Sequence, residues 1–226
     1  MLDRVLEPEV MDDPSEAAAY HAMNHDRVNA IFVNDLRQAV GPVDWSGPIL
    51  DLGAGNGLIP ILLRETFSNN TVVELDAARS MLAIARNVAG AAQVRRLGWV
   101  QARAQRLPHP ANAFPLVVSN SLIHHLPEPV LVFREAWRVL APGGWAFFRD
   151  LFRPDNPAEL ARLVDKHAKG ESPTARRLFA ESLNAALTVE EVRQLVGVVG
   201  ATGETVCASS DRHWTWCCRK PFAAML

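Results

Sequence analysis

The hydrophobic positions in the central chain follow two periods in turn. Short apolar runs, which predict β-strands, lie at residues 48–52, 71–75, 94–102, 114–119 and 145–150. The stretches at residues 58–67, 80–88 and 130–140 instead have the spacing of amphipathic helices. Strands that alternate with helices favour a mostly parallel sheet covered on both faces.

The N-terminal residues have a helical pattern of their own. Residues 15–40 carry apolar side chains at helical spacing, with Ser15 as the expected cap and Gly41 and Pro42 as the stop. This pattern predicts an N-terminal helical arm or cap over residues 1–46. We expect a single α/β domain to follow, over residues 47–226.

The C-terminal third combines helices with a final hairpin. Residues 156–187 are polar and helical, and residues 188–199 predict a helix capped by a Thr and a Glu three residues later. Two strands at 205–208 and 213–218 form the hairpin, which makes the last strand antiparallel. We therefore expect a seven-stranded sheet with a helical insertion, residues 153–187, after the fifth strand, near the edge where such sheets bind ligands.

Composition is that of an ordinary globular protein, but the charges are unevenly placed. The 226 residues are 49% hydrophobic and carry a formal charge of −2. Residues 1–26 hold seven acids and one arginine, whereas residues 77–127 hold six arginines and no acid. The balance excludes a uniformly basic protein, yet it allows an anionic small molecule to bind near the basic stretch.

Several classes of protein are disfavoured by what the sequence lacks. No apolar run approaches the roughly 20 residues of a membrane span, and the first residues lack the features of a secretory leader. The cysteines, Cys207, Cys217 and Cys218, provide no disulfide framework and no paired metal ligands. We predict a cytoplasmic protein with no metal site and no membrane partner; the oligomeric state stays open.

A glycine-rich loop directly follows the first predicted strand. Residues 51–57, the glycine loop, read DLGAGNG, and the glycines permit a tight turn and close approach to a ligand at a helix start. The spacing is neither that of a dinucleotide fingerprint nor that of a P-loop. Asp76 ends the second strand 19 residues after Gly57, where a carboxylate can bind ribose hydroxyls or, alternatively, cap a helix. A nucleoside bearing a carboxylate or a phosphate is the predicted ligand.

Five motifs in a fixed order carry a family resemblance. They are ILDLGAGNG (49–57), VELD (73–76) followed by SMLAIAR (80–86), LP (107–108), SNSLIHHL (119–126) and REAWRVLAPGG (134–144). Over residues 47–151 the chain resembles the class I S-adenosylmethionine-dependent methyltransferases, particularly the quinone and sterol methyltransferase group. The resemblance implies a Rossmann-like fold, S-adenosylmethionine as cofactor, and methyl transfer to a small molecule.

The resemblance also implies a set of cofactor contacts. The glycine loop would face the methionine part of the cofactor, Asp76 the ribose, and residues after the fourth strand the transferred methyl group. One departure is Arg103, which stands where many relatives have an acid that contacts adenine, so backbone atoms or Gln105 would take that role. Met81 is either an adenine contact or a core residue of its helix. The implied cofactor residues are Asp51, Gly53, Ala54, Gly55, Asn56, Gly57, Asp76, Ala77, Met81, Ala104, Gln105, Asn120 and Ser121.

Catalytic and acceptor residues are less defined. His124 and His125 follow the fourth strand and titrate in the range of a general base, although one of them could instead tie loops together. Tyr20 and His25 could cover the cofactor or the acceptor. Asp150 and Arg153 end the fifth strand, where the arginine would bind an anionic acceptor or form a salt bridge.

Two other functions stay open. The basic stretch allows an RNA-modifying methyltransferase, although nucleic acid is the less favoured partner because signatures of nucleobase methylation are missing. Arg103 and the uncertain base allow a protein that binds S-adenosylmethionine without catalysis. Salt-dependent RNA affinity and cofactor binding without turnover are the respective signs of these alternatives.

Overall fold

The computed structural model describes residues 2–7, 12–22, 25–42 and 46–222 of the chain. Within these residues the helices are α1 (Pro14–His21), α2 (Asp26–Val40), α3 (Leu58–Thr66), α4 (Arg79–Ala91), α5 (Pro129–Val139), α6 (Pro157–His167), α7 (Pro173–Ala185) and α8 (Val189–Val198). The strands are β1 (Ile49–Leu52), β2 (Val72–Asp76), β3 (Leu97–Gln101), β4 (Phe114–Asn120), β5 (Leu140–Leu151), β6 (Val206–Ala208) and β7 (His213–Arg219).

The strands form one sheet in the order β3-β2-β1-β4-β5-β7-β6. Neighbours from β3 to β5 are parallel, whereas β7 runs antiparallel to both β5 and β6. Six strands therefore share one direction and the last strand opposes them. The predicted fold class, a Rossmann-like α/β sheet of seven strands, is confirmed.

Helices cover both faces of the sheet because its central strands are apolar on both sides. All four residues of β1 are buried. On one face, Ile49 packs with Phe32 of α2 and Leu63 of α3. On the other face, Leu50 belongs to a larger core that includes Phe133 of α5, Val192 of α8 and Trp216 of β7. The apolar runs read from the sequence are thus the buried centre of the molecule.

The order of the strands creates a crevice above β1 and β4. The chain moves outward from β1 to β2 and β3, and then returns to place β4 on the other side of β1. Ligands of open α/β sheets bind at such a switch point, beyond the carboxyl ends of the strands. The glycine loop follows β1 there, and residues 121–126, the histidine loop, follow β4.

The N-terminal arm differs in detail from the prediction. Two helices, α1 and α2, replace the continuous helical stretch, and the cap of α1 is Asp13 rather than Ser15. Asp13 accepts hydrogen bonds from the backbone N–H groups of Ser15 and Glu16. The helix starts two residues earlier than a Ser15 cap implies, because Pro14 lacks an N–H and suits the first helical position.

Strand β5 begins earlier than predicted. The segment Ala141 to Gly144 was expected to separate helix from strand, but it lies inside β5, which starts at Leu140. The register against β4 shifts between Phe114 and Leu116, and Gly143 adopts a φ of +76°. A bulge therefore absorbs the turn-forming residues without ending the strand.

Helices α6 and α7 lie between β5 and α8 in the region of the predicted insertion. Leu163 and Leu183 pack with Leu151 and Ala186 in a small separate core. The division into an arm over 1–46 and a domain over 47–226 stays a prediction. No helix in the described part of the chain is long and apolar enough to cross a membrane.

Candidate functional site

The glycine loop follows β1 and needs its glycines for two different reasons. Gly53, Gly55 and Gly57 all have positive φ values, of +70°, +55° and +79°. A Cβ on Gly53 would lie 2.9 Å from a methyl group of Leu122, and one on Gly57 would lie 2.8 Å from Cβ of Ala85. A Cβ on Gly55 would meet nothing within 4 Å, so the middle glycine borders open space. The outer glycines permit packing, and the middle one leaves room for a ligand.

Asp76 connects the end of β2 to the glycine loop. Its carboxylate accepts hydrogen bonds from the backbone N–H groups of Gly55 and Ala78, both at 2.8 Å. Ala78, not Asp76, is the cap residue of α4. Asp76 therefore holds two loops together at the position predicted for a ribose contact, and the simple helix-cap alternative does not describe it fully.

Two further carboxyl groups lie close to the glycines of the loop, one from Asp51 at its start and one from Glu74 in β2. Asp51 is 2% exposed, and its Oδ2 has no hydrogen-bond partner among the described residues. Burial, and then the charges of Glu74 and Asp76, raise the pKa of Asp51 well above its usual value. Burial also raises the pKa of Glu74 to about 8, against opposing contributions from Trp99 and Arg86. A positively charged group bound here would favour the ionised form of these carboxyl groups, which the protein itself does not stabilise.

Helix α1 covers this part of the site. Tyr20 packs with Ala78 and Met81, and its ring stacks on His25 at a centroid distance of 4.8 Å. Nδ1 of His21 lies 3.3 Å from Nδ2 of Asn56 in the glycine loop. Met81 is buried, as expected for a core residue of its helix. It also packs against the residues of α1 that cover the site.

Tyr20 and His25 are both shielded from solvent in part. Burial, with the charges of Asp76 and Asp150, raises the pKa of Tyr20. Burial lowers the pKa of His25, and its Nε2 has no hydrogen-bond partner in the described structure. The two predicted acceptor residues thus lie together above the glycine loop, where they can exclude water from a bound ligand.

The predicted adenine side is a shallow cavity. Its volume is about 390 Å³, and it is lined by Asp12, Ala77, Gln101, Ala102 and Arg103. Ala104 is buried in the main core and Gln105 is partly buried. Arg103 therefore does lie at the cavity, and the N-terminal residue Asp12 supplies an acid beside it.

The end of β4 has an unusual backbone. Asn120 is the last residue of the strand, and Ser121 follows it with a φ of +56°. The N–H of Ser121 donates to the carbonyl of Arg149 in β5. Positive φ costs energy for a residue other than glycine. The hydrogen bond to Arg149 holds Ser121 in this conformation, at the start of the histidine loop.

His124 is held by carboxylates on both sides of its ring. Nδ1 lies 2.6 Å from Oδ1 of Asp150, the His124 N–H donates to Oδ2 of Asp150, and Nε2 lies 3.2 Å from Oε1 of Glu7. Burial would lower the pKa of His124, but Asp150 and Glu7 outweigh burial and raise it to about 9. A protonated ring cannot act as a general base, so His124 matches the loop-tying alternative.

His125 differs from its neighbour in exposure. Its side chain is 27% exposed, and its Nδ1 lies 3.1 Å from Oε1 of the same Glu7. The two histidine rings are 4.1 Å apart between centroids. Of the two predicted base candidates, His125 is the one that a ligand in the crevice can reach.

Arg153 forms a salt bridge, but with Glu191 of α8 rather than with its neighbour Asp150, as the alternative from the sequence expected. Its guanidinium lies 2.7 Å from Oε1 of Glu191 and donates to the carbonyl of Ala186 at 2.8 Å. Asp150 is 1% exposed and is engaged with His124. Both side chains are thus committed to internal contacts, and their predicted role in acceptor binding stays a prediction.

Comparison with known proteins identifies the architecture that these residues share. The methyltransferase domain family matches residues 50–148, the segment with the glycine loop, Asp76 and the histidine loop. The ubiquinone/menaquinone biosynthesis C-methyltransferase UbiE of Xanthomonas oryzae is 30% identical over 169 residues, 70% of this chain and 66% of that protein. Residues 50–148 thus match a methyltransferase domain, which supports the predicted resemblance to the class I S-adenosylmethionine-dependent methyltransferases. The same likeness supports the predicted enzyme class and cofactor.

Other relatives show how far the likeness extends. A malonyl-[acyl-carrier protein] O-methyltransferase of Marinomonas is 31% identical over 119 residues, which are 53% of this chain and 43% of that protein. The chain thus spans less than two thirds of the length of both relatives. A putative S-adenosylmethionine-dependent methyltransferase of Methanococcus maripaludis superposes with a TM-score of 0.70 at 20% identity, covering 98% and 100% of the two chains, and so shares the fold.

Two residues of the site were not identified from the sequence. Glu74 interrupts the apolar strand β2 two residues before Asp76, and this spacing places both side chains on one face of the strand. This spacing could have identified Glu74 as a site residue from the sequence. No local sequence pattern indicates Glu7, because its partners His124 and His125 are more than a hundred residues away along the chain.

Proposed function

We propose that this protein transfers the methyl group of S-adenosylmethionine to a small-molecule acceptor by in-line displacement. The observation that carries the proposal is the unpartnered Oδ2 of Asp51, a buried acceptor directly below the glycine loop. The amino group of the cofactor would supply the missing charge. Together with Gly55 and Asp76, this gives a site that fits a methionine and a ribose at once.

Each part of the site has a defined task in this proposal. When bound, the cofactor supplies an electrophilic methyl group on a sulfonium sulfur. Asp51 binds the amino group, and Asp76 binds the ribose hydroxyls with the lone pairs that the N–H groups of Gly55 and Ala78 leave available. Helix α1 covers the site through Tyr20 and excludes water, so that positioning supplies much of the rate acceleration.

The acceptor is the less defined half of the proposal. The names of the curated relatives include enzymes of quinone biosynthesis, which supports a small organic acceptor. An anionic acceptor is supported by the basic stretch of residues 77–127, in which Arg103 borders the adenine-side cavity. If the acceptor must lose a proton, His125 is the candidate base, since Asp150 holds His124. A cytoplasmic location belongs to the same proposal and rests on the cysteine usage.

The test uses labelled S-adenosylmethionine with a metabolite extract, followed by mass spectrometry of the products. The wild type should label a small molecule, and Asp76→Ala should abolish both labelling and cofactor binding by calorimetry. Glu171→Ala, a change at an exposed acid, is the matched control and should leave both unchanged. A wild-type protein that does not bind the cofactor contradicts the proposal.

The same experiment separates the alternatives. Cofactor binding without any labelled product supports the non-catalytic binding protein. Labelled RNA, with an affinity that falls steeply as salt rises, supports the RNA-modifying enzyme. Among the arginines behind that alternative, Arg96 already donates to the carbonyl of Asn69.

A further inference from the structure

Three potential metal ligands meet where the N-terminal segment, residues 2–7, contacts the histidine loop. Oε1 of Glu7 lies 3.2 Å from Nε2 of His124 and 3.1 Å from Nδ1 of His125. The three ligand atoms all lie within 4.8 Å of one another. His124 is buried and the other two side chains are partly buried, so the group is inside the protein rather than on an exposed face.

Two of these side chains are oriented by further hydrogen bonds. Asp150 binds Nδ1 of His124 at 2.6 Å, which directs the opposite nitrogen, Nε2, toward Glu7. Ser182 of α7 donates to the carboxylate of Glu7 at 3.2 and 3.3 Å. Metal-binding histidines almost always donate the second ring N–H to a carboxylate, a backbone carbonyl or a water, and ligating carboxylates are themselves hydrogen-bonded.

Two of the three distances between the ligand atoms, those that involve Glu7, fit a tetrahedral ion. Bonds of about 2.0–2.1 Å to nitrogen or oxygen place two tetrahedral ligands roughly 3.3 Å apart. The distances from Oε1 of Glu7 to the two histidine nitrogens, 3.2 and 3.1 Å, are close to that value. Two imidazoles and one carboxylate are a ligand set that zinc accepts, whereas magnesium and calcium prefer oxygen alone.

We propose that Glu7, His124 and His125 form a binding site for one divalent transition-metal ion, with Zn²⁺ preferred, and that the ion displaces the proton which Nε2 of His124 otherwise directs toward Glu7. The partial exposure of His125 leaves a fourth position for water or for an oxygen of a bound molecule. The inference does not depend on the proposed methyl transfer. An ion at this site would make His125 a ligand, which removes it from the role of general base.

Metal binding would also fix the N-terminal segment. Arg4 already donates to the carbonyls of Ala185, His124 and Leu126, so the segment bridges α7 and the histidine loop. An ion shared by Glu7 and the histidines would add a bond across the same junction. The ligands come from two distant parts of the sequence, which is why the cysteine and histidine spacing gave no indication of the site.

The experiment measures Zn²⁺ and Co²⁺ binding to the full chain after treatment with a chelator. The wild type should bind one ion per chain, and Co²⁺ should produce the visible absorption of a tetrahedral site. Glu7→Gln and His125→Gln should each weaken binding at least tenfold, and Asp150→Asn should weaken it less. His109→Gln is the control, because His109 packs on Phe114 outside this cluster.

Two further measurements make the result decisive. Circular dichroism establishes that each variant is folded, and Zn²⁺ should raise the melting temperature of the wild type but not that of Glu7→Gln. Wild-type protein that binds no ion, or Glu7→Gln protein that binds as tightly as the wild type, overturns the inference. Calorimetry with S-adenosylmethionine on the same samples distinguishes this failure from a failure of the proposed function.

Discussion

Below the glycine loop, the carboxyl groups of Asp51 and Glu74 are buried with incomplete compensation, whereas beside the histidine loop every buried charge has a close partner of opposite sign. Asp51 has one oxygen without a hydrogen bond, and the pKa values of both acids are raised. Asp150 instead binds His124 at 2.6 Å, and burial, which would raise its pKa, is outweighed by that histidine. The first region is prepared for a ligand that brings charge, whereas in the second the protein's own side chains pair with one another in the absence of a metal ion.

The largest effect on stability should come from removing a charge in the compensated region, beside the histidine loop. Asp150→Asn leaves His124 without its main charge partner, and loss of one member of a buried ion pair costs about 3–5 kcal/mol. We expect the free energy of unfolding to fall by an amount at the lower end of that range, measured by denaturant titration. Glu181→Gln, which removes an exposed ion pair with Arg177, should cost only about 0.3–0.5 kcal/mol. Equal effects of the two changes would contradict the comparison.

The corresponding change in the uncompensated region should have the opposite sign. Asp51→Asn removes a buried group that lacks a partner, so we expect the free energy of unfolding to stay equal or rise by about 1 kcal/mol. Calorimetry should show at least tenfold weaker binding of S-adenosylmethionine, because the charge that attracts the amino group is gone. A variant that is less stable but binds the cofactor normally would show that Asp51 is structural.

The pH dependence of stability sharpens the same contrast. Glu74 has a folded-state pKa of about 8, above its unfolded value of 4.5. Between these values the unfolded state releases a proton that the folded state keeps, so its contribution to stability is full below pH 4.5 and is lost as pH rises to 8. Glu74→Gln should flatten this decline. The measurement is a series of denaturant titrations from pH 5 to 8.5, and a wild-type slope unchanged in the variant would refute the assignment.

The smallest effect concerns the junction between the two regions. Ser121 has a φ of +56°, which glycine adopts without steric cost. Ser121→Gly should therefore change the free energy of unfolding by less than about 1 kcal/mol and in the stabilising direction. Ser68→Gly, at an exposed position without positive φ, should be neutral or slightly destabilising. Thermal melting of both variants provides the measurement.

The sequence predicted those parts of the molecule whose signals are local. β1 is recognisable because all of its residues are buried, and the glycine loop because its backbone conformations require glycine. Asp76 follows from its position after β2. The bulge in β5 was missed because pairing with β4 overrides the turn preference of Gly143, and this pairing is a tertiary effect.

The charge network beside the histidine loop could not be predicted from local sequence patterns. His124, Asp150 and Glu7 come from three separate parts of the chain, and no spacing rule connects them. The sequence identified His124 and Asp150 as residues of interest but assigned them to different tasks. Only the fold shows that Asp150 faces His124 and that Arg153 pairs with Glu191 instead.

The position of β7 between β5 and β6 has a consequence for how the chain is made. Residues 213–219 are the last strand to be synthesised, yet β6 has no place in the sheet until β7 lies between it and β5. On the ribosome, β5 therefore presents an open edge, with Phe147 and Phe148 among its residues, until β7 has been synthesised. Such edges recruit other strands. Chains cut short before β7 should accumulate in aggregates, while the full-length chain closes its own sheet.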